Sequence, residues 1–79
     1  MKFTYDHRYN IAYIKFHEKT SNVETVKVSD ELIVDIAPDG TVYGIELLNA
    51  NEQLSRDKIG KLLFRNEESG EEVELKIAV

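Results

Sequence analysis

A proline–aspartate–glycine turn at residues 38–40, set between two β-rich runs, is the strongest constraint on the fold of this chain. Proline fixes the first turn dihedral, aspartate can accept a hydrogen bond from nearby backbone, and glycine adopts positive φ without steric cost. We predict a hairpin with a four-residue loop, residues 38–41, that sets Ala37 opposite Val42. The competing interpretation is a three-residue loop with a bulge at Gly40.

The predicted register separates the hairpin into two faces, since side chains alternate along a strand. One face is apolar throughout and consists of Leu32, Val34, Ile36, Tyr43, Ile45 and Leu47. The other is mixed and consists of Ile33, Asp35, Val42, Gly44, Glu46 and Leu48. We expect a helix or a second subunit to cover part of the mixed face.

Length and composition limit the remaining possibilities. The 79 residues contain no cysteine, so disulfides and thiolate metal sites are excluded, and we expect a single domain over residues 1–79. Neither a signal peptide nor an apolar run long enough to span a membrane is visible, so we expect a cytoplasmic protein without membrane contact. The net charge of −5 disfavours nucleic acid as a partner, because binding phosphates needs an excess of basic residues.

The first two-thirds of the chain reads as a succession of strands. Alternating or β-branched runs at residues 2–5, 11–17 and 23–28 precede the hairpin, and residues 29–31 read as a bend or bulge. We therefore predict an antiparallel meander of about five strands over residues 2–50.

The last third of the chain is less uniform. Ser55 suits a helix N-cap, and apolar residues recur at helical spacing after it, which favours a short helix over residues 55–64. The rival interpretation is a strand at residues 61–66 that turns through residues 67–70. Residues 72–79 alternate strictly and predict a final strand. The predicted fold class is α+β, mainly β.

Three acidic residues, Asp6, Asp35 and Glu46, are candidates for chemistry. The register places Asp35 and Glu46 on one face of neighbouring strands, two positions out of direct opposition. Two close carboxylates can bind a divalent cation or share a proton. No metal-binding loop or ligand spacing accompanies them, and His7 and His17 belong to no motif. We expect acids that are solvated or paired with lysine or arginine, and we predict no catalytic residue, metal or cofactor.

Several short segments, most specifically the Gly-Ile-Glu-Leu-Leu run after the Asp-Gly turn, resemble a small prokaryotic family. They are Tyr5-Asp6, Ala12-Tyr13-Ile14, Val28-Ser29-Asp30, Ile33-Val34-Asp35, Asp39-Gly40 and Gly44-Ile45-Glu46-Leu47-Leu48-Asn49-Ala50. The family is catalogued as domain of unknown function 2283 and has no established activity. The resemblance implies a small stand-alone domain with a regulatory, antitoxin-like binding role.

Two functions from different classes follow. The first is a homodimeric interaction or regulatory module that contacts another protein, favoured by the small size, the apolar excess and an available strand edge. The second is a metal-binding protein or enzyme that uses a carboxylate cluster of Asp6, Asp35 and Glu46. The absence of any catalytic or cofactor motif favours the first.

Overall fold

The structure, a computed structural model, describes residues 1–20, 22–54 and 61–76. These ranges form a five-stranded antiparallel sheet, one short helix and a separate two-stranded sheet. The predicted fold class, α+β and mainly β, is confirmed. Among the described residues, no helix is both long and apolar enough to cross a membrane.

Five strands form the main sheet, and each coincides with a run of alternating or β-branched residues. They are β1 (Lys2–Asp6), β2 (Ile11–Lys15), β3 (Glu24–Ser29), β4 (Leu32–Ile36) and β5 (Val42–Leu48). Every neighbouring pair is antiparallel, and the spatial order is β1-β2-β5-β4-β3.

This strand order corrects the predicted meander at one place. β3, β4 and β5 do follow one another across the sheet, but β2 pairs with β5 instead of β3. β5 reads Val-Tyr-Gly-Ile-Glu-Leu-Leu, whereas β3 reads Glu-Thr-Val-Lys-Val-Ser. The more apolar strand suits the centre of the sheet. Charged residues on an edge strand discourage pairing with other chains, which suits β3 to the edge.

The predicted bend at residues 29–31 is a full reversal. β3 and β4 are antiparallel, with Ser29 opposite Leu32, and the register shifts between Lys27 and Ser29. The Ser29 hydroxyl accepts a hydrogen bond from the backbone N–H of Glu31 at 3.3 Å. The connection contains no glycine or proline, so the sequence carries little of the usual hairpin signal at this point.

The central hairpin combines features of both predicted loops. Ala37 N–H donates to the Thr41 carbonyl at 2.9 Å, and Gly40 has φ +91°, so the loop is the three-residue one. The preferred four-residue loop is therefore wrong. Its register is nevertheless right for most of the hairpin, with Asp35 opposite Gly44. Next to the loop, Ile36 lies opposite Val42, which is one residue out of the predicted register. A bulge between Ile36 and Asp35 adds one residue on β5 and restores the predicted pairing from Asp35 onward.

The helix lies earlier than predicted, at α1 (Ala50–Leu54), directly after β5. It is held by the turn between β1 and β2: Ala50 N–H donates to the Asn10 carbonyl at 3.0 Å, and Asn51 N–H donates to Asn10 Oδ1 at 2.8 Å. Five residues are too few to show helical periodicity, so these tertiary hydrogen bonds decide the position.

The rival interpretation of the last third is confirmed where the structure describes it. β6 (Lys61–Arg65) and β7 (Glu72–Lys76) form an antiparallel hairpin, which overturns the helical prediction for residues 61–64. Asn66 Oδ1 accepts from the backbone of Glu68 at 3.0 Å and Ser69 at 3.3 Å, which shapes the turn. Residues 55–60 of the predicted helix and 77–79 of the predicted final strand lie outside the described residues.

Candidate functional site

The main sheet carries a continuous apolar face. Residues that lie opposite one another share a face of the sheet, so pairing across all five strands defines a row of side chains. The central row of this face is apolar in every strand and consists of Phe3, Ile14, Ile45, Val34 and Val26. We call this side of the sheet the apolar face.

A second row lies nearer the helix and contains Tyr5, Ala12, Leu47 and Leu32. α1 contacts β2 at this end of the sheet. Ala12 and Ala50 are both 0% exposed, and they are the only buried hydrophobic residues in the described part of the chain. One short helix therefore covers a corner of the apolar face and leaves the central row partly open. The sequence predicted cover by a helix or second subunit for the mixed face, and for the helix that prediction is wrong, because hydrogen bonds to Asn10 hold α1 at the end of the apolar face.

The apolar face stays accessible in the single chain. Phe3 is 37% exposed and Val26 is 41% exposed, although both belong to the central row. The chain exposes 6203 Å² in total. A compact monomer of 9.1 kDa exposes about 4,900 Å². The excess of about 1,300 Å² belongs to the chain as a whole, and the exposure of Phe3 and Val26 shows that apolar side chains contribute to it.

The β6–β7 hairpin has an apolar side of its own. Pairing places Leu62 opposite Leu75 and Phe64 opposite Val73. Each of these four side chains is between 45% and 61% exposed. The other side of the hairpin is mainly charged, because Lys61 lies opposite Lys76 and Arg65 opposite Glu72. We call the side formed by Leu62, Phe64, Val73 and Leu75 the hairpin face.

The opposite face of the main sheet holds a cluster centred on Asp35, which is 4% exposed. Asp35 Oδ2 accepts hydrogen bonds from the Tyr13 hydroxyl at 2.6 Å and pairs with Lys19 Nζ at 3.0 Å. Asp35 Oδ1 accepts from the Thr25 hydroxyl at 2.7 Å. Both oxygens of this buried carboxylate therefore have protein donors. The cluster links β2, β3 and β4, which is a structural role.

These contacts shift the ionisation of both partners. Burial and then the hydrogen bond with Asp35 raise the pKa of the Tyr13 phenol to about 12. Burial acts to raise the pKa of Asp35, but the hydrogen bonds from Tyr13, Thr25 and Lys19 outweigh it and hold the pKa below its usual value. Asp35 is therefore ionised and Tyr13 is neutral at physiological pH.

Gly44 makes the cluster possible. It lies between Asp35 and Lys15 in the sheet, and the ring of Tyr13 crosses over it to reach Asp35. A Cβ at this position would overlap the Tyr13 phenol. A glycine inside a strand commonly allows a bulge or a close approach by a neighbour. Here Tyr13 makes the close approach, and the hairpin bulge lies one residue away.

The predicted carboxylates occupy separate positions. Asp35 and Glu46 do share a face, as the register predicts, with Ile33 opposite Glu46. Asp6 lies on edge strand β1, with β2 and β5 between it and β4, and its Oδ1 accepts hydrogen bonds from the backbone of Arg8 and Tyr9. Among the described residues, no group of three or more His, Cys, Asp or Glu side chains lies close enough together to hold a metal ion.

The two histidines, which belong to no sequence motif, lie beside aromatic rings. His7 is 6.1 Å from Tyr5 and His17 is 5.1 Å from Tyr43, measured between ring centroids.

Sequence reasoning missed the partners of Asp35 and the role of Asn10. Thr25 lies opposite Asp35 because residues 29–31 reverse the chain, which the sequence did not predict. Tyr13 reaches Asp35 because β2 lies beside β5, which no local pattern shows. A signal existed for Tyr13, since a glycine inside a strand often marks a position that a neighbouring group approaches closely, and Gly44 is such a glycine. Asn10 also carried a signal, because asparagine is enriched at positive φ, and the structure gives it φ +57°.

The comparisons with known proteins agree with the family resemblance. The model of the family described as Protein of unknown function (DUF2283) matches residues 2–51, which is more than half of the chain. The match includes the whole main sheet and the first two residues of α1. No curated protein and no solved structure matches the chain.

Proposed function

We infer that this chain, which belongs to the family of proteins of unknown function DUF2283, works as a homodimeric interaction module. The apolar face of the five-stranded sheet is the surface through which it binds. The observation that carries the proposal is the open central row, from Phe3 to Val26, in a chain whose buried hydrophobic residues, within the described ranges, are two alanines.

The area supports a stable association. Specific interfaces bury about 800 Å² on each partner. The excess surface of about 1,300 Å² per chain, estimated from the size of compact monomers, is sufficient for such an interface. Chains of this size commonly obtain part of their stability by oligomerisation. The chain lacks cysteine, so a disulfide does not supply it.

The carboxylate alternative has less support. Its strongest candidate, Asp35, already engages Tyr13, Thr25 and Lys19, and binding a cation would need these donors to leave. Asp6 is separated from it by two strands. The antitoxin-like role stays a prediction from the family resemblance.

The test is the molecular mass in solution, measured by light scattering on a size-exclusion column at low micromolar concentration. We expect a mass near twice 9.1 kDa for the native chain. Phe3→Glu places a charge on the apolar face and should give a monomer. The matched control is Thr4→Glu, which changes the next residue of the same edge strand on the opposite face and should remain a dimer.

A monomeric mass of the native chain at all concentrations would contradict the proposal. Equal effects of the two substitutions would also contradict it, because the binding surface would then not be the apolar face. Circular dichroism of both variants tests whether each retains its strands, so that loss of the dimer can be separated from unfolding.

A further inference from the structure

We propose that the β6–β7 hairpin crosses to the second copy, so that its hairpin face packs on the partner's apolar face. The inference rests on the proposed homodimer and names the element that closes it. Both apolar surfaces belong to one chain, and each is open in it.

The β6–β7 hairpin makes few contacts with the rest of its own chain. In the described residues, the extensive contacts of β6 and β7 are with each other, and neither strand makes an extensive contact with a strand of the main sheet. The Cα radius of gyration is 14.0 Å, whereas a compact chain of this length has about 11.6 Å. The hairpin is thus an arm that stands apart from the sheet.

The hairpin face and the apolar face are chemically alike. The hairpin face presents four apolar side chains, Leu62, Phe64, Val73 and Leu75, and its reverse side carries mainly charged ones. A two-stranded hairpin with one apolar side is at best marginally stable in water and needs a surface to cover it. The apolar face offers aliphatic and aromatic side chains without a charged residue in its central row.

The hairpin also matches the main sheet in its dimensions. Strands of five residues are about 17 Å long in both sheets. A hairpin two strands wide spans about 10 Å, so it covers about two-fifths of a face five strands wide. Two-fold symmetry makes the exchange reciprocal: each copy gives one hairpin and receives one, and no arm is left unpaired.

A pair of substitutions in one strand tests the role of the hairpin. Phe64 is 61% exposed on the hairpin face, and Leu63 is 53% exposed on the charged side. In the full chain, Phe64→Glu should raise the dimer dissociation constant about 30-fold or more, as expected for a lost buried anchor. Leu63→Glu should change it by no more than about twofold. Light scattering and dilution on the same column measure both.

Cross-linking tests which copy receives the arm. The native chain has no cysteine, so Val34→Cys on the apolar face and Leu75→Cys on the hairpin face each introduce a unique thiol. One variant is prepared with heavy isotopes, the two are mixed, and a bis-maleimide that spans about 10 Å, the spacing of packed sheets, is added. We expect cross-links between a heavy and a light chain. Leu63→Cys replaces Leu75→Cys in the control and should yield few.

The outcomes separate this inference from the proposed function. A dimer that Phe3→Glu dissociates and Phe64→Glu does not would retain the apolar-face interface and overturn the arm exchange. A double variant, Val34→Cys/Leu75→Cys, diluted until it is monomeric, provides the converse test: a cross-link within that single chain, together with no heavy–light cross-link in the mixture of single variants, would show that the hairpin folds back on its own sheet, which also overturns the inference. A monomeric native chain would overturn both proposals.

Discussion

Single residues in this protein have roles that follow from their neighbours across the sheet. Gly44 is buried beneath the Tyr13 ring, which reaches over it to donate to Asp35. Asp35 in turn links Tyr13 with Thr25 and Lys19. The cluster fixes three strands in one register, so a change at one member should be felt through the others.

Gly44→Ala should lower the free energy of unfolding by about 1–3 kcal/mol, the usual cost of overfilling a packed site. The added methyl group would displace the Tyr13 ring from Asp35. Urea denaturation measures the loss. In a Tyr13→Ala background the same substitution should cost much less, because no ring then lies over the position. An equal loss in both backgrounds would contradict the packing explanation.

Asp35 should make stability depend on pH in the acid range. Its native pKa lies below its usual value, so its contribution is complete above the unfolded pKa of about 3.9 and is lost as the pH falls through the native pKa. The free energy of unfolding of the native chain should therefore fall on acidification. Asp35→Asn should start from a lower value at neutral pH and show a smaller fall. Parallel pH profiles for the two proteins would exclude Asp35 as the source.

At the scale of the elements, the short helix α1 depends on the turn that receives it. Asn10 Oδ1 accepts from Asn51 N–H at 2.8 Å, and Asn10 Nδ2 donates to Asn51 Oδ1 at 2.7 Å. Asn10 also adopts φ +57°, which is costly for most residues. Backbone conformation and side-chain hydrogen bonds thus act at the same position.

Substitutions of Asn10 separate these two contributions. Asn10→Gly keeps the positive φ and loses the side-chain hydrogen bonds, so the free energy of unfolding should fall by about 1–2 kcal/mol. Asn10→Ala loses both and should cost about 1 kcal/mol more. Asn10→Asp keeps the acceptor for Asn51 and should be the mildest. Chemical denaturation gives the order, and a glycine variant as stable as the native chain would show that the hydrogen bonds contribute nothing.

At the scale of the whole molecule, stability should depend on protein concentration. If the apolar face and the hairpin face are buried between copies, association and folding are linked by mass action. A hundredfold increase in concentration should raise the melting temperature by about 5 °C or more. Phe3→Glu should melt at a lower temperature that does not change with concentration. A melting temperature of the native chain that is constant over this range would contradict a folding-linked dimer.

The sequence by itself determined the local features of this protein. Alternation predicted the strands, the Pro-Asp-Gly segment predicted the central hairpin, and the face pattern predicted the register with Asp35 opposite Gly44. These features depend on residues close together in the chain, where turn geometry and strand pleat leave few alternatives.

The tertiary structure decided what depends on distant residues. Whether residues 61–65 form helix or strand depends on pairing with Glu72–Lys76, because a short apolar run fits either period. The position of α1 depends on Asn10, 40 residues before its first residue, Ala50. The placement of β5 beside β2 brings Tyr13 to Asp35 and assembles the open apolar face. Pairing between distant strands is a property of the assembled sheet, so the sequence predicted the apolar side of the central hairpin but neither the cluster nor the extension of that apolar side over all five strands.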